Sequence, residues 1–148
     1  NAFGDKRQLY MEVLRSYQQM SIGGHLKRLN EPASPLEGIF ELLSGLAAKD
    51  RKLRALGCFG VSSIGEFGTS DPELRRLGEA GGALLRARIA ERIREGQALG
   101  EIDPDFEAEE GAAFVLMSMM GLQVTARAGA GVKDMQQLAA FAVARLKA

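Results

Sequence analysis

Apolar residues recur along much of this chain at three- and four-residue steps. Leu36, Ile39, Phe40, Leu43, Leu46 and Ala47 form one stripe, and Leu74, Leu77, Gly81, Leu84, Leu85, Ile89 and Ile93 form another. Such steps place side chains on one face of a helix. The apolar–polar alternation of a half-buried strand is hardly visible, so the expected fold class is all-α. No segment repeats at a fixed period, which excludes a solenoid.

The helix boundaries are punctuated. Ser34-Pro35-Leu36-Glu37 reads as a capping box with Pro at the first helical position. Asp71-Pro72 and Asp103-Pro104 repeat the cap-plus-Pro pattern, with Glu73 and Asp105 adding negative charge near a helix N-terminus. Asp5 with Gln8 gives a start near the front, and the Gly129-Ala130-Gly131 break gives one near Val132. These signals predict about six helices, over residues 5–29, 35–48, 55–67, 71–99, 104–128 and 132–147. Gly23-Gly24 is a point where the first could be interrupted, and Gly57, Gly60 and Gly65 weaken the third.

The uncharged run from Gly111 to Ala126 is 16 residues long. As a helix it spans about 24 Å, short of the ~20 residues a membrane crossing needs, and it carries Ser118, Gln123 and Thr125. From Ala112 to Ala126 it is apolar nearly all round. Such a helix either crosses the middle of a domain or has its second face covered by another subunit. The last helix supplies Met135, Leu138, Phe141, Ala142 and Leu146 beside it. The preferred expectation is a homodimer sealed by these two helices, with Phe114, Met120, Val124, Leu138 and Phe141 in the seam. A central core helix in a monomer is the alternative.

Composition narrows the chemistry. A chain of 148 residues and 15.9 kDa is one domain, and 46% hydrophobic with 26% charged residues is ordinary for a globular protein. One Cys and one His leave no disulfide framework, Cys-rich zinc site or His-based metal site, and no cofactor motif stands out. Lys+Arg and Asp+Glu are both 19, so net charge points to neither nucleic acid nor membrane. The chain opens at Asn1 without a signal-peptide pattern, and a cytoplasmic protein with no membrane partner is expected.

Catalytic signals are thin. Cys58 would need a base, and the one His, His25, is distant in sequence. The acidic residues from Glu101 to Glu110 lack calcium-loop spacing and read as a solvated helix start. Lys49, Arg51, Lys52 and Arg54 are broken by Asp50 and read as an exposed helix end. Ser63 and Glu66 read as an exposed face. Met117, Met119 and Met120 suit either core filling or an adaptable pocket wall. A small apolar or aromatic molecule is expected to bind between the first four helices and the buried face of the fifth. Its candidate contacts are Tyr17, Met20, Phe59, Ser62, Leu85, Ile89 and Met117.

Phe3, Gly4, Asp5, Lys6, Leu9 and Tyr10 form an opening motif that resembles the end of the helix-turn-helix region, and the start of the following helix, in TetR-family transcriptional regulators. Gly57-Cys58-Phe59, Asp71-Pro72-Glu73-Leu74-Arg75, Gly96 through Gly100-Glu101-Ile102, and Gly121-Leu122-Gln123 ahead of Ala126-Arg127-Ala128-Gly129-Ala130 follow in the order of one subgroup. The resemblance covers nearly the whole chain. It implies a remnant of the DNA-binding domain over residues 1–4 and a ligand-binding and dimerisation domain over 5–148. The last two helices would form a four-helix bundle with those of a partner. It also implies a homodimeric repressor that meets operator DNA through an N-terminal head absent from this sequence and is released by a small effector. By position, Lys6 would contact a DNA phosphate and Asn1 would end the reading helix. Residues 1–30 carry five Lys/Arg against two Asp/Glu, in keeping with an end that faces DNA. The other readings are a stand-alone helical binder of small molecules and an enzyme built on a helical bundle. The enzyme would need Cys58 and His25 in contact.

Overall fold

The computed structural model describes residues 2–148, apart from the side chain of Phe3; the DNA-end position Asn1 lies outside the described residues. Seven helices are present among them: α1 (Ala2–Asn30), α2 (Pro35–Ser44), α3 (Arg51–Leu56), α4 (Phe59–Phe67), α5 (Pro72–Ala98), α6 (Ala108–Arg127) and α7 (Val132–Ala144). The all-α expectation holds, and among the described residues the only β pairing is an isolated bridge between Ile102 and Lys147. Among the described residues no helix is long and apolar enough to cross a membrane.

Two expected boundaries move for local reasons. The predicted 55–67 helix is two helices, because Gly57 takes a left-handed φ of 66° and ends α3 with its N–H on the Arg54 carbonyl. Asp50 starts α3, accepting from the N–H groups of Lys52 at 2.8 Å and Leu53 at 2.9 Å. Asp103-Pro104 does not open a helix. Asp103 Oδ1 instead accepts from the Asp105 N–H at 2.8 Å, its own N–H donates to the Leu146 carbonyl, and α6 begins only at Ala108. Gly23-Gly24 does not interrupt α1.

The capping box at Ser34 is completed from afar. Ser34 Oγ accepts from the Glu37 N–H at 3.1 Å, as the motif predicts. It is Glu101, though, whose Oε2 accepts from the Ser34 hydroxyl at 2.7 Å and from the Leu36 N–H at 3.2 Å. Those bonds hold the Glu101 carboxyl below its ordinary pKa, the Ser34 hydroxyl most of all. Arg92, on α5, covers the same loop by donating to the carbonyls of Leu29 and Pro32. At Gly38 the α1 backbone comes so close that a Cβ would collide with the Leu29 carbonyl.

The main core joins α1, α2, α5, α6 and α7 around Leu29, Ile39, Leu42, Ile89, Ile93 and Val115, each 1% exposed or less. A second, smaller cluster of Met11, Leu14 and Leu74 packs with Tyr10, Phe59, Phe67 and Leu77 near the N-terminal end of α1.

Candidate functional site

A cavity of about 130 Å³ is bounded by α1, α4, α5 and α6. That volume is close to the ~150 Å³ cavity that accommodates benzene. Its apolar wall includes Ile22, Val61, Leu85, Leu116 and Met119. α5 contributes Gly78, Gly81 and Gly82, whose missing side chains open the space; a Cβ at Gly78 or Gly82 would meet nothing within 4 Å.

One helix face supplies the polar end. Tyr17, Ser21 and His25 are spaced four residues apart on α1 and line the same side of the cavity. Arg28 Nη2 lies 2.9 Å from His25 Nδ1, and Ser21 Oγ lies 3.1 Å from Nε2. A guanidinium can only donate, so Nδ1 is the acceptor and Nε2 carries the proton that it donates to Ser21. Burial, and secondarily the Arg28 charge, push the His25 pKa down to about 4, so the ring is neutral at pH 7. Its acceptor nitrogen is occupied by Arg28, which leaves it no free site from which to act as a base on Cys58. Burial raises the pKa of the Tyr17 phenol, and the neighbouring Cys58 thiol raises it further. The Phe59 N–H and the Ser21 hydroxyl act in the opposite direction as donors to the phenol oxygen.

The structure places the sequence-predicted contacts unevenly. Tyr17 and Leu85 line the cavity. Phe59 stands behind the wall, edge-on to Tyr17 with ring centroids 5.7 Å apart, and also against Tyr10 at 5.1 Å. Its place is to hold Tyr17. Met20 is 74% exposed and Met117 63% exposed, each on the outward side of its helix, so neither is a wall residue. Ser62 faces solvent, while Ser63, expected on the exposed face, is buried. Ile89 is fully buried in the main core, one turn beyond Leu85. Ser21, His25 and the three glycines were not singled out from sequence as contacts, although their i, i+4 and i, i+3 spacings were visible there.

The outward face of α6 is a second feature. Val124 is 56% exposed beside Met117, and Leu138 and Phe141 of α7 are exposed as well. Phe114 is half-buried against the core, and Met120 turns toward the cavity wall rather than lying centrally on this face. Ser118 and Thr125 donate their hydroxyls to the carbonyls of Phe114 and Gly121, both at 2.8 Å. Those polar groups are thereby satisfied within the helix. At the other end of the molecule Lys6 is exposed on the first turns of α1, while Arg7 is engaged by Asp71 and Glu73. No group of three or more His, Cys, Asp or Glu able to hold a metal occurs among the described residues.

Residues 35–143 match the family model described as the tetracyclin repressor-like C-terminal domain. The uncharacterized HTH-type transcriptional regulator YezE of Bacillus subtilis (strain 168) is 25% identical over 138 residues, which is 92% of this chain and 71% of that protein. A TetR transcriptional regulator from Chloroflexus aurantiacus J-10-FL superposes with a TM-score of 0.77 at 19% identity, over 94% of this chain and 71% of its own. A cysteine mutant of the TetR-family regulator CifR, complexed with a 26-base-pair operator DNA, gives 0.74 at 24% identity, over 98% and 76%.

Proposed function

The chain belongs to the TetR family of transcriptional regulators, and on that footing we propose that it is the effector-binding and dimerisation part of a ligand-responsive repressor. The observation that carries this reading is the cavity, whose polar end lies on α1, the same helix that presents Lys6 at its N-terminal end. A helix-turn-helix ahead of α1 would read the operator, with Lys6 contacting a phosphate. Such a contact positions the head without choosing sequence. Residues 5–148 would then form the regulatory domain, working in the cytoplasm.

Two heads must be paired to read two half-sites about 34–36 Å apart. The exposed face of Met117, Val124, Leu138 and Phe141 is the surface suited to that pairing. An apolar patch on a domain of this size marks an interaction site, and the internally bonded hydroxyls of Ser118 and Thr125 lower the desolvation cost of covering it.

An effector works only if it binds one head spacing better than the other; a tenfold preference is about 1.4 kcal/mol per site. Tyr17, Ser21 and His25 give a ligand direct purchase on α1. The test uses the protein with its helix-turn-helix segment. An operator is selected from random duplexes, and its affinity is measured with and without a cavity-binding compound. A saturating ligand should weaken operator binding tenfold or more. Unchanged operator affinity at saturation would refute the effector role.

A further inference from the structure

Given that effector role, we propose that the cavity takes an uncharged organic molecule of about one aromatic ring, held through an acceptor oxygen (a carbonyl or an ether) by the hydroxyl of Tyr17, which Ser21 backs.

The charge state follows from the wall. None of the residues lining the cavity is Asp, Glu, Lys or Arg. The one imidazole there is neutral at pH 7, because burial, and secondarily the Arg28 charge at its Nδ1, holds its pKa near 4. An ion entering this space would shed its hydration shell with no opposite charge to meet it, a desolvation that nothing in the wall offsets. A neutral molecule pays only for its polar atoms, and a single hydrogen bond largely offsets that.

The acceptor preference follows from the direction of the hydrogen bonds. Arg28 donates to His25, and His25 Nε2–H donates to Ser21 Oγ. Ser21 Oγ accepts from His25 and gives its one proton to the Tyr17 phenol oxygen, which leaves the Tyr17 O–H as the donor facing the cavity. The chain of donors begins at a fixed positive charge, which polarises each bond after it. The relay therefore ends on a proton that Tyr17 offers to the cavity, and its natural complement is an oxygen that accepts one.

The size limit follows from α5. Gly78 and Gly82 leave room at the wall, and Met119 and Met120 adjust to the far side of a planar ring. A leucine at position 82 would project into that space.

Calorimetric titration of the chain with three near-isosteric probes tests the proposal: acetophenone, ethylbenzene and benzoate. Acetophenone should bind about three- to tenfold more tightly than ethylbenzene, the contribution of one neutral hydrogen bond, and at least tenfold more tightly than benzoate. Tyr17→Phe combined with Ser21→Ala should bring acetophenone to within twofold of ethylbenzene while leaving ethylbenzene unchanged. Gly82→Leu should weaken both neutral probes. Benzoate binding as well as acetophenone, an acetophenone preference that survives the double variant, or no binding by any probe would each overturn the assignment. The outcomes separate from those of the effector role. Acetophenone that binds here without loosening the operator defeats the effector role and keeps the ligand class, whereas benzoate that binds here and releases the operator does the reverse.

Discussion

Arg7 grips both oxygens of Asp71, donating Nε–H to Oδ2 at 3.2 Å and Nη2–H to Oδ1 at 3.1 Å. Asp71 is also the N-cap of α5, where the same Oδ1 accepts the N–H groups of Glu73 at 3.0 Å and Leu74 at 3.1 Å. One carboxylate thus starts α5 and fastens it to the N-terminal part of α1. Glu73 extends the clamp to Arg7 at 3.0 Å and to Arg15 at 3.4 Å.

Removing the cap should cost more than removing the clamp. Asp71→Ala strands two helical N–H groups and both bonds from Arg7, whereas Arg7→Ala leaves the cap intact. Thermal melts should therefore rank wild type, Arg7→Ala and Asp71→Ala in falling order. The carboxyl pKa is depressed, first by the Leu74 N–H and then by Arg7. Its contribution is present above the ordinary carboxylate range and disappears as pH falls through the lower folded value. An Arg7→Ala melt at or below that of Asp71→Ala would contradict the ranking.

A second acid-sensitive element acts at higher pH. His25 has an ordinary pKa of 6.5 and a folded value of about 4. Between these values the unfolded chain binds a proton that the folded chain does not, so stability rises with pH across the window. The contribution is fully present above pH 6.5 and is lost on descending to pH 4. A shift of this size corresponds to roughly 3 kcal/mol. Urea unfolding at pH 7 and pH 4.5 should show the loss. His25→Gln, which can still accept from Arg28 and donate to Ser21, should flatten it.

Tyr10 carries the opposite lesson. Its hydroxyl is buried with no hydrogen-bond partner, while its ring packs edge-on to Phe59 and Phe67. Tyr10→Phe keeps the ring contacts and removes an unsatisfied group. It should leave stability unchanged or raise it by about 1 kcal/mol, a result readable from the urea midpoint at constant m-value.

Gly82→Ala should likewise stabilise the chain. The site is helical, and the new methyl meets nothing within 4 Å. Replacing glycine by alanine inside a helix is worth about 0.5–1 kcal/mol. A fall in melting temperature would mean that the space at α5 is not free.

Assembly is tested on the outer face. Wild-type chain should sediment as a dimer at micromolar concentration. Val124→Asp and Leu138→Asp alter side chains that are 56% and 48% exposed in the single chain, so they should leave its fold intact. Buried without partners in a dimer, the same carboxylates should shift the sample toward monomer. Unchanged sedimentation in both variants would place the seam elsewhere.

By itself the sequence determined the all-α class, the caps at Ser34 and Asp71, and the long apolar character of α6. These are local matters: a cap reaches three residues and a helical stripe repeats every turn. The opening motif and the ordered later ones also carried the family resemblance. Tertiary structure alone decided what each face meets. Met117 and Met119 read alike in the chain, yet one is 63% exposed and the other 5%, because the rotation of α6 against α5 assigns them to opposite sides. Glu101 completes the Ser34 cap from 67 residues away, and Asp71 answers to Arg7 across 64, distances over which no local pattern carries information. The cavity too is a tertiary product. In the sequence Gly81 is one more position in the α5 stripe and Gly78 and Gly82 carry no signal; packing sets all three opposite Tyr17, Ser21 and His25, where absent side chains become space.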